Sequence, residues 1–335
     1  MSNDPAPYRL NTPPDTFIRV PYRALEAFIT QAGLAVGMPA TRAELLADLL
    51  TANDLRGVFS HGTRLMATYA TLLRGGRLNP TPEPHVVRET PSSVVVDGDG
   101  GLGYFAMHLG TRLAIAKAAS QGMAVMQSRN HGHIGAAGLY ARMTLAHDLL
   151  TFVTSGHQLD LAQGMPVYSP AIGSPMSFSA PAGSADPLVL DFSPVYDLRI
   201  SPYWSEIAAW VPGTVFRCIG LGTVAQAWGG LLAGIPVDGS RAARRFPEAN
   251  QAALLVTFQI GLFVNPDDFR REMDELARRV ASLAPLPGFT RAQLAGGPEA
   301  ERDRAWRVEG VPIGPDHQRD LERLAAELGL AVPWR

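Results

Sequence analysis

The middle of the chain alternates short strand-like segments with helix-like segments, and this alternation constrains the fold more than any other feature. The β-branched run at residues 94–96 leads through a glycine-rich turn into an Ala- and Leu-rich helical pattern. The segments GMAVMQS and GAAGLYARMTLAHD repeat the order of strand and helix, and three more buried strand patterns follow, LLTFVTS, PLVLDFS and QAALLVTFQIGLFV. Helical patterns gather at both ends of the chain. We therefore predict an α/β sheet domain packed on a helical domain that the N- and C-terminal parts form together.

Charge balance and cysteine content narrow the class of protein. The 335 residues are enough for about two domains, and 29 basic and 31 acidic side chains give a net charge of −2. No basic stripe is present, so nucleic acid and anionic membrane are poor partners. Cys218 is the sole cysteine, which excludes an intrachain disulfide and favours a cytoplasmic location. The polar, proline-rich residues 1–20 are predicted to be a flexible tail rather than a secretory signal.

One uncharged segment, residues 218–235, approaches the length that a membrane-spanning helix needs. It contains five glycines and Gln226, and no second segment of this kind exists. We predict a glycine-rich helix packed inside the core of a soluble protein.

The glycine-rich turn at residues 98–103 has the pattern G-x-G-x-x-G between a strand and a helix. In a dinucleotide-binding turn this spacing brings backbone N–H groups to a pyrophosphate, and an acidic residue follows about 20 positions later. Here the next strand ends with Gln127, Ser128 and Arg129. Because an arginine could accept a 2′-phosphate, the residues alone leave two interpretations open, a cofactor site and a simple chain turn.

Two histidine segments carry the candidate chemistry. In FSHGTR, Ser60 can cap a helix and place His61 in its first turn, where the helix dipole would keep the imidazole neutral. A neutral histidine can exchange a proton with a substrate oxygen, and Arg64, one turn away, could bind a carboxylate. The alternative is a solvent-facing histidine at a helix start.

The second segment, NHGHIGAAG, places His131 and His133 just after a strand and before a small-residue helix start. Ligands bind at this edge of many α/β sheets. The alternative for either histidine is a loop residue bonded to backbone. With one cysteine and no H-E-x-x-H pattern, we predict no metal site.

These segments together resemble the type-2 malate/L-lactate dehydrogenase family, which includes ureidoglycolate and sulfolactate dehydrogenases, diketogulonate reductase and Δ1-piperideine-2-carboxylate reductase. The similarity lies in DLRGVFSHGTRLMATYATLLRGGRLNP, in the block from VVVDGDGG to HIGAAGLYA, and in three later blocks, PMSFSAPAGSADPLVLDFS, CIGLGTVAQAWGGLLAG and LAGGPEAERDRAWRVEGVPI. The resemblance implies an α/β fold that is not a standard Rossmann fold, in which residues 98–103 are only a turn. It also implies a helical catalytic domain at 21–128 with 266–335, and a cofactor-binding domain at 129–265.

The resemblance also implies residue roles. His61, beside Ser60, would donate the proton to the substrate, Arg64 would hold its carboxylate, and His133 would line the pocket. The residues expected at an NAD or NADP cofactor are His157, Ser174, Asp191, Phe192, Ser193, Arg217 and Gly297.

Several positions depart from the family pattern. Leu65 stands where many members have arginine, Ser174 replaces an asparagine, and Arg217 replaces a lysine on the cofactor side. The stretch between Asp191 and Arg217 is also shorter than is usual. The proton-transfer half of the site is thus retained, while the nicotinamide half is altered.

The leading hypothesis is a homodimeric oxidoreductase that transfers hydride between NAD(P)H and C2 of a 2-oxo acid or a cyclic 2-imino acid. One alternative is a family member that has lost nicotinamide use and performs acid–base chemistry, such as isomerisation, elimination or cyclisation. A second alternative is a small-molecule binder without catalytic activity.

Overall fold

The computed structural model describes residues 12–287 and 289–334, which form one large sheet, one two-stranded sheet and helices around them. The strands are β1 (Ile18–Val20), β2 (His85–Thr90), β3 (Ser93–Asp97), β4 (Met123–His131), β5 (Leu149–His157), β6 (Met176–Ala180), β7 (Leu188–Phe192), β8 (Gln251–Gln259) and β9 (Val311–Ile313). The helices are α1 (Tyr22–Ala35), α2 (Ala40–Leu55), α3 (Met66–Arg74), α4 (Gly103–Gln121), α5 (Gly138–Met143), α6 (Tyr196–Ile200), α7 (Trp204–Trp210), α8 (Pro212–Gly229), α9 (Pro266–Ala281), α10 (Gly297–Glu309) and α11 (Pro315–Leu328).

The large sheet has seven strands in the order β2-β3-β4-β8-β5-β6-β7. Only β3 and β4 pair in parallel, and α4 forms the crossover between them, whereas the other pairs in this sheet are antiparallel. A doubly wound dinucleotide-binding domain has a mostly parallel sheet. The α/β class is therefore confirmed, and the sheet differs from a standard Rossmann fold as predicted.

The register of the central strands brings histidines to one edge of the sheet. His131 at the end of β4 and His157 at the end of β5 both pair with Gln251 at the start of β8. β4 and β5 run in the same direction on either side of β8. The loops that follow β4 and β5 therefore leave the sheet at the same edge, and His133 lies in the loop after β4.

In the helical part, a strand from the N-terminal region pairs with a strand from the C-terminal region. In the small sheet, β1 pairs antiparallel with β9, with Ile18 opposite Ile313 and Val20 opposite Val311. The prediction of a flexible tail over residues 1–20 is therefore wrong for residues 18–20, which gain backbone hydrogen bonds from a strand near the C-terminus. Residues 1–11 lie outside the described part of the chain.

The predicted boundary between the domains, at 128/129, falls inside β4. It does so because β2, β3 and β4 are hydrogen-bonded into the same sheet as the later strands. The hydrophobic core is also continuous, since Leu25 and Ile29 of α1 belong to the same cluster of buried side chains as Val94 and Met126 of the sheet. The predicted division into two domains therefore does not coincide with a gap between two hydrophobic cores.

Backbone N–H groups of the glycine-rich turn between β3 and α4 donate to carbonyl groups at and just after the end of β4. The N–H groups of Gly98, Gly100 and Gly103 donate to the carbonyl oxygens of Arg129, Asn130 and His133 at 2.9, 2.9 and 3.0 Å. Gly100 has a φ of +71°, and a Cβ there would overlap the ring of Phe246. These amides are already used, so they cannot hold a pyrophosphate. The turn instead fixes the end of β4.

The prediction that residues 218–235 form a helix inside the core is wrong in one respect. The segment Pro212–Ala233 is long and apolar enough to cross a membrane by length and composition, yet only 39% of its apolar 18-residue window is buried. Gly222 and Gly229 let α8 approach Ala171 and the backbone of β5 closely. The opposite face is open, with Phe216 69% and Trp228 50% exposed.

Candidate active site

His61 lies in a short 3₁₀ turn, Phe59–His61, while α3 begins only at Met66. The predicted helix cap at Ser60 is therefore absent, and the helix-dipole argument for a neutral ring does not apply. Ser60 Oγ instead lies 2.8 Å from His61 Nδ1, and the Asn53 side chain donates to the His61 carbonyl at 2.9 Å. Burial lowers the pKa of His61, so the ring is neutral at pH 7 for a different reason.

The His61 turn is held in place by the fully buried carboxyl group of Asp54. Asp54 Oδ2 accepts from Thr63 N at 3.0 Å and from Thr63 Oγ1 at 2.5 Å, and Thr63 Oγ1 lies 2.8 Å from His317 Nε2 on α11. Burial raises the pKa of Asp54 to about 7, although both bonds from Thr63 act in the opposite direction. Gly62 is required here because a Cβ would overlap Asp54 Oδ1. The position of His61 is thus fixed between α2 and α11.

His133 faces His61 across the site. The two ring centroids are 5.3 Å apart, and the planes are inclined by 31°. Burial lowers the pKa of His133 to about 3, with smaller contributions from His61 and His131. Two neutral imidazoles of different origin, one from a turn after α2 and one from the edge of the sheet, therefore share one site.

A pair of buried tyrosines supports His133. Tyr69 Oη lies 2.7 Å from His133 Nδ1 and 3.1 Å from Tyr104 Oη. Burial raises the pKa of both phenols, so each remains protonated at neutral pH. The sequence reasoning missed both residues. One signal was present, because Tyr69 lies on the apolar face of α3 with Met66 and Leu73, and a buried tyrosine hydroxyl needs a partner.

The hydrogen bonds to these rings define what they can do chemically. Each Nδ1 has a hydroxyl partner, Ser60 for His61 and Tyr69 for His133, whereas the described residues form no hydrogen bond to either Nε2. A neutral imidazole with a free nitrogen can accept or donate a single proton to a bound ligand. The pair is therefore suited to proton exchange with a substrate oxygen.

Arg64 is paired with a carboxylate of α11. Its Nε and Nη2 donate to Asp320 Oδ2 of α11 at 3.2 and 2.8 Å. A guanidinium held by a carboxylate has fewer donors left for a substrate. Its predicted role as the carboxylate-binding residue therefore stays a prediction.

A cleft of about 600 Å³ begins beside the His61 turn and lies between α2, α5, β7 and α10. Its charged lining residues are Arg56, Arg142, Asp191, Arg291, Glu299, Glu301 and Arg302. Burial, with the nearby Arg56, lowers the pKa of Arg142 to about 10. Glu299 Oε2 is buried and has no hydrogen-bond partner among the described residues. The cleft also includes Asn53, which bonds the backbone of His61.

The seven predicted cofactor residues do not gather in one place. Asp191 lines the 600 Å³ cleft, where it accepts from Gly138 N at 2.8 Å. Just beyond it on the chain, Phe192 is half-buried and ends β7, and Ser193 Oγ is buried without a partner among the described residues.

The other four lie elsewhere. Ser174 Oγ donates to Gln226 Oε1 at 3.4 Å, and Gln226 Nε2 donates to the His157 carbonyl at 2.6 Å. Ser174 and His157 therefore help to hold α8 against β5. Arg217 is exposed because Val215 and Ile219 form the buried face of α8. Gly297 begins α10 and lines a separate cavity of about 630 Å³.

The 600 Å³ cleft fits the polar groups of a dinucleotide. Its volume lies in the ordinary range for small-molecule sites. A dinucleotide presents ribose hydroxyls, which need acceptors, and a pyrophosphate, which needs positive charge. Asp191 and the unpartnered Glu299 Oε2 are such acceptors. Arg142 supplies positive charge, together with Arg56, which is also paired with Asp303 at 3.3 Å. Among the described residues, no group of three His, Cys, Asp or Glu side chains could hold a metal ion.

Comparison with known proteins identifies the class. Residues 20–195, more than half of the chain, match the malate/L-lactate dehydrogenase family, and the chain belongs to this family. L-sulfolactate dehydrogenase of Methanocaldococcus jannaschii is 27% identical over 328 residues, which cover 88% of this chain and 93% of that protein. Ureidoglycolate dehydrogenase (NAD(+)) of Escherichia coli K12 is 24% identical over 330 residues, with 88% and 91% covered.

The solved structures support the same fold. Malate dehydrogenase of Pyrococcus horikoshii OT3 superposes with a TM-score of 0.81 at 24% identity, over 96% of this chain and 98% of that one. The predicted family, the fold and the dehydrogenase class of the enzyme are therefore confirmed.

Proposed function

We propose that this protein oxidises a small 2-hydroxy acid to the 2-oxo acid, or catalyses the reverse reduction, with NAD or NADP as the hydride carrier. A cyclic 2-imino acid is the other substrate class that the family suggests for the reduction. The observation that carries the proposal is the facing pair His61 and His133, each held at Nδ1 by a hydroxyl and each with Nε2 available. Membership of a dehydrogenase family supports the redox chemistry.

The hydrogen bonds favour a distinct role for each ring. We assign the Tyr69 phenol as the donor to His133 Nδ1, which leaves His133 Nε2 as an N–H donor toward a substrate oxygen. We assign His61 Nδ1–H as the donor to Ser60 Oγ, which leaves His61 Nε2 as the acceptor. In this arrangement His133 orients the substrate oxygen and His61 takes the proton from the C2 hydroxyl.

The charge state of His61 favours oxidation at neutral pH. As the hydroxyl proton moves to His61 Nε2, the C–H bond at C2 breaks and two electrons leave with the hydride. A bound nicotinamide supplies the hydride acceptor. The lowered pKa of His61 keeps the ring in the unprotonated form that this direction needs. Reduction uses the same groups in reverse, with His61 protonated at the start.

Binding of the cofactor is assigned to the 600 Å³ cleft. Arg56 and Arg142 would pair with the pyrophosphate, and Asp191 and Glu299 would accept from ribose hydroxyls. Asn53 lines the cleft and donates to the backbone carbonyl of His61, so the cleft lies beside the turn that carries this histidine.

A second function is favoured by one observation, the dispersal of the cofactor residues. Arg217 lies on the exposed side of α8, and Ser174 is bonded to Gln226. A chain that had lost nicotinamide binding would retain the histidine pair for acid–base chemistry without redox, such as isomerisation, elimination or cyclisation.

The deciding experiment is titration of the protein with NADH and with NADPH, followed by nicotinamide fluorescence, together with oxidation assays on malate, lactate and sulfolactate. Saturable binding of either cofactor and reduction of NAD or NADP with one acid are expected. Silence with both cofactors would reject the dehydrogenase and favour the non-redox function. An Arg142→Ala variant should bind the cofactor at least tenfold more weakly, whereas Arg278→Ala on the exposed face of α9 should not.

We also propose that the protein is a cytoplasmic homodimer. Two-fold dimers are the commonest soluble oligomers, and the exposed Phe216 and Trp228 of α8 are the kind of apolar surface that subunits bury. The single cysteine suits a reducing compartment. Light scattering at micromolar concentration should give twice the chain mass of 35.9 kDa, and a monomer would contradict the proposal.

A further inference from the structure

A second cavity, of about 480 Å³, opens at the carboxyl ends of the parallel strands β3 and β4. We name it the arginine cleft, after Arg129 of β4 and three arginines of the segment that precedes β8, Arg241, Arg244 and Arg245. It shares no lining residue with the 600 Å³ cleft. The edge of a sheet beyond the carboxyl ends of parallel strands is a common place for ligands in α/β proteins.

The guanidinium groups in this cleft are weakly neutralised. Arg244 Nη2 donates to the neutral amide oxygen of Gln158 at 2.5 Å, and Arg245 lies 5.0 Å from the ring centroid of Phe246. Among the described residues, neither forms an ion pair with a carboxylate. Arg129 and Arg241 have only loose pairs, at 3.7 Å to Asp97 and 3.8 Å to Asp238.

The two carboxylates of the cleft are committed to local structure. Asp97 Oδ1 accepts from Asn130 Nδ2 at 2.7 Å, and Asp99 Oδ2 accepts from Asn79 Nδ2 at 3.0 Å. With two carboxylates against four guanidinium groups, the cleft carries a net positive charge. Like charges brought together at one wall repel, and a bound anion relieves that repulsion.

The walls of the cleft are fixed. Phe246 packs on Gly100 of the glycine-rich turn, where no side chain would fit. Gln158 donates from Nε2 to the Pro236 carbonyl at 2.7 Å, and its own N–H donates to the Asn250 carbonyl at 2.8 Å. The guanidinium groups therefore project from a segment that is already held in place, so less conformational entropy is lost when a ligand binds.

The cleft combines this charge with an apolar wall of Ile235, Pro236 and Phe246. Because the amides of the glycine-rich turn are used by β4, an anion here must be bound by side chains, and the planar guanidinium group matches a phosphate with two N–H donors. We propose that the arginine cleft binds a nucleoside phosphate, with the phosphate on Arg244 and Arg245 and the base against the apolar wall. Its source is a free nucleotide, because the dinucleotide is assigned to the 600 Å³ cleft, which shares no lining residue with this one.

The proposal is tested by calorimetric titration of the whole protein with AMP, adenosine and inorganic phosphate. AMP is expected to bind. Adenosine and inorganic phosphate should each bind at least tenfold more weakly, because adenosine lacks the phosphate group and inorganic phosphate lacks the base. The double variant Arg244→Ala/Arg245→Ala should weaken AMP at least tenfold. The matched control Arg278→Ala, exposed on α9 and paired with Glu275, should bind AMP as the unaltered protein does. Unfolding temperature verifies that both variants are folded.

Competition with NADH separates this site from the cofactor site. Saturating AMP is expected to leave the NADH affinity unchanged, and AMP is expected to bind even if NADH does not. Competition between AMP and NADH would overturn the proposal, because it would place AMP at the cofactor site. Absence of AMP binding, or AMP affinity unchanged in the double variant, would overturn the proposal whatever the outcome for the dehydrogenase activity.

Discussion

Removal of the Tyr69 hydroxyl tests whether His133 is held as an oriented donor. Tyr69→Phe keeps the ring on the buried face of α3 but removes the 2.7 Å bond to His133 Nδ1 and the 3.1 Å bond to Tyr104. Two buried polar groups then lack a partner, at a cost of about 1–3 kcal/mol each. If about 1.4 kcal/mol of that loss falls on the transition state, kcat/KM drops by roughly 10-fold, since about 1.36 kcal/mol is a factor of ten in rate.

The assay is steady-state oxidation of the best 2-hydroxy acid at several pH values, with the unfolding temperature measured in parallel. The control is Tyr203→Phe, a half-exposed tyrosine between α6 and α7. A structural role alone would lower the unfolding temperature of the Tyr69 variant and leave kcat/KM and its pH profile as they are. That result, or an equal loss in the Tyr203 variant, would refute the argument that Tyr69 orients His133.

The other predictions concern the His61 turn and its protons. His61→Ala should lower turnover by about 10²-fold with the fold intact, the scale of a lost general base, and near-normal turnover would remove it from the mechanism. The rate of hydroxy-acid oxidation should be flat above pH 6.5 and fall as pH drops through the lowered pKa of His61, so a rate that rises toward acid would contradict the assigned role. Gly62→Ala should destabilise the protein by more than about 1 kcal/mol in denaturant melts, because Asp54 Oδ1 occupies the space of the new Cβ. His131, His133 and His317 have pKa values lowered by burial to about 4, about 3 and about 3, so the unfolded chain binds their protons first and stability present above pH 6.5 should be lost as pH falls toward 4. The raised pKa values of Asp54 and Asp191, about 7 and about 6, oppose two of the three, which leaves roughly 1 kcal/mol per pH unit, measurable by urea unfolding at pH 6 and pH 5.

Local patterns predicted the elements of this fold better than their arrangement. The strand runs at residues 94–96 and in GMAVMQS, and the helices around them, follow from side-chain periodicity, which is a local property. That β8 inserts antiparallel between β4 and β5 depends on pairing across more than 100 residues of chain, which no local pattern records. Ile18–Val20 was assigned to a tail for the same reason, because its partner strand is Val311–Ile313.

The candidate site was predicted in part. His61 and His133 were singled out by their places before a helix and after a strand and by the resemblance to the dehydrogenase family, and the structure places their rings 5.3 Å apart. Tyr69 was missed because its signal is that of an ordinary core residue on α3. The carboxylate-binding role of Arg64 stays a prediction, and its pairing with Asp320 could not be foreseen because the two residues are 256 positions apart in the chain.

The pairing of β1 with β9 sets the order in which the molecule can be completed during synthesis. All seven strands of the large sheet lie between His85 and Gln259, so the sheet can form while the C-terminal segment is still in the ribosome. β9 and α11 follow the large sheet along the chain, and α11 carries His317, the partner of Thr63 next to the His61 turn. Until α11 has been made, the His61 turn lacks this support, although every strand of the large sheet is already present. Synthesis therefore separates the sheet in time from the side chain that helps to hold the candidate histidine in place.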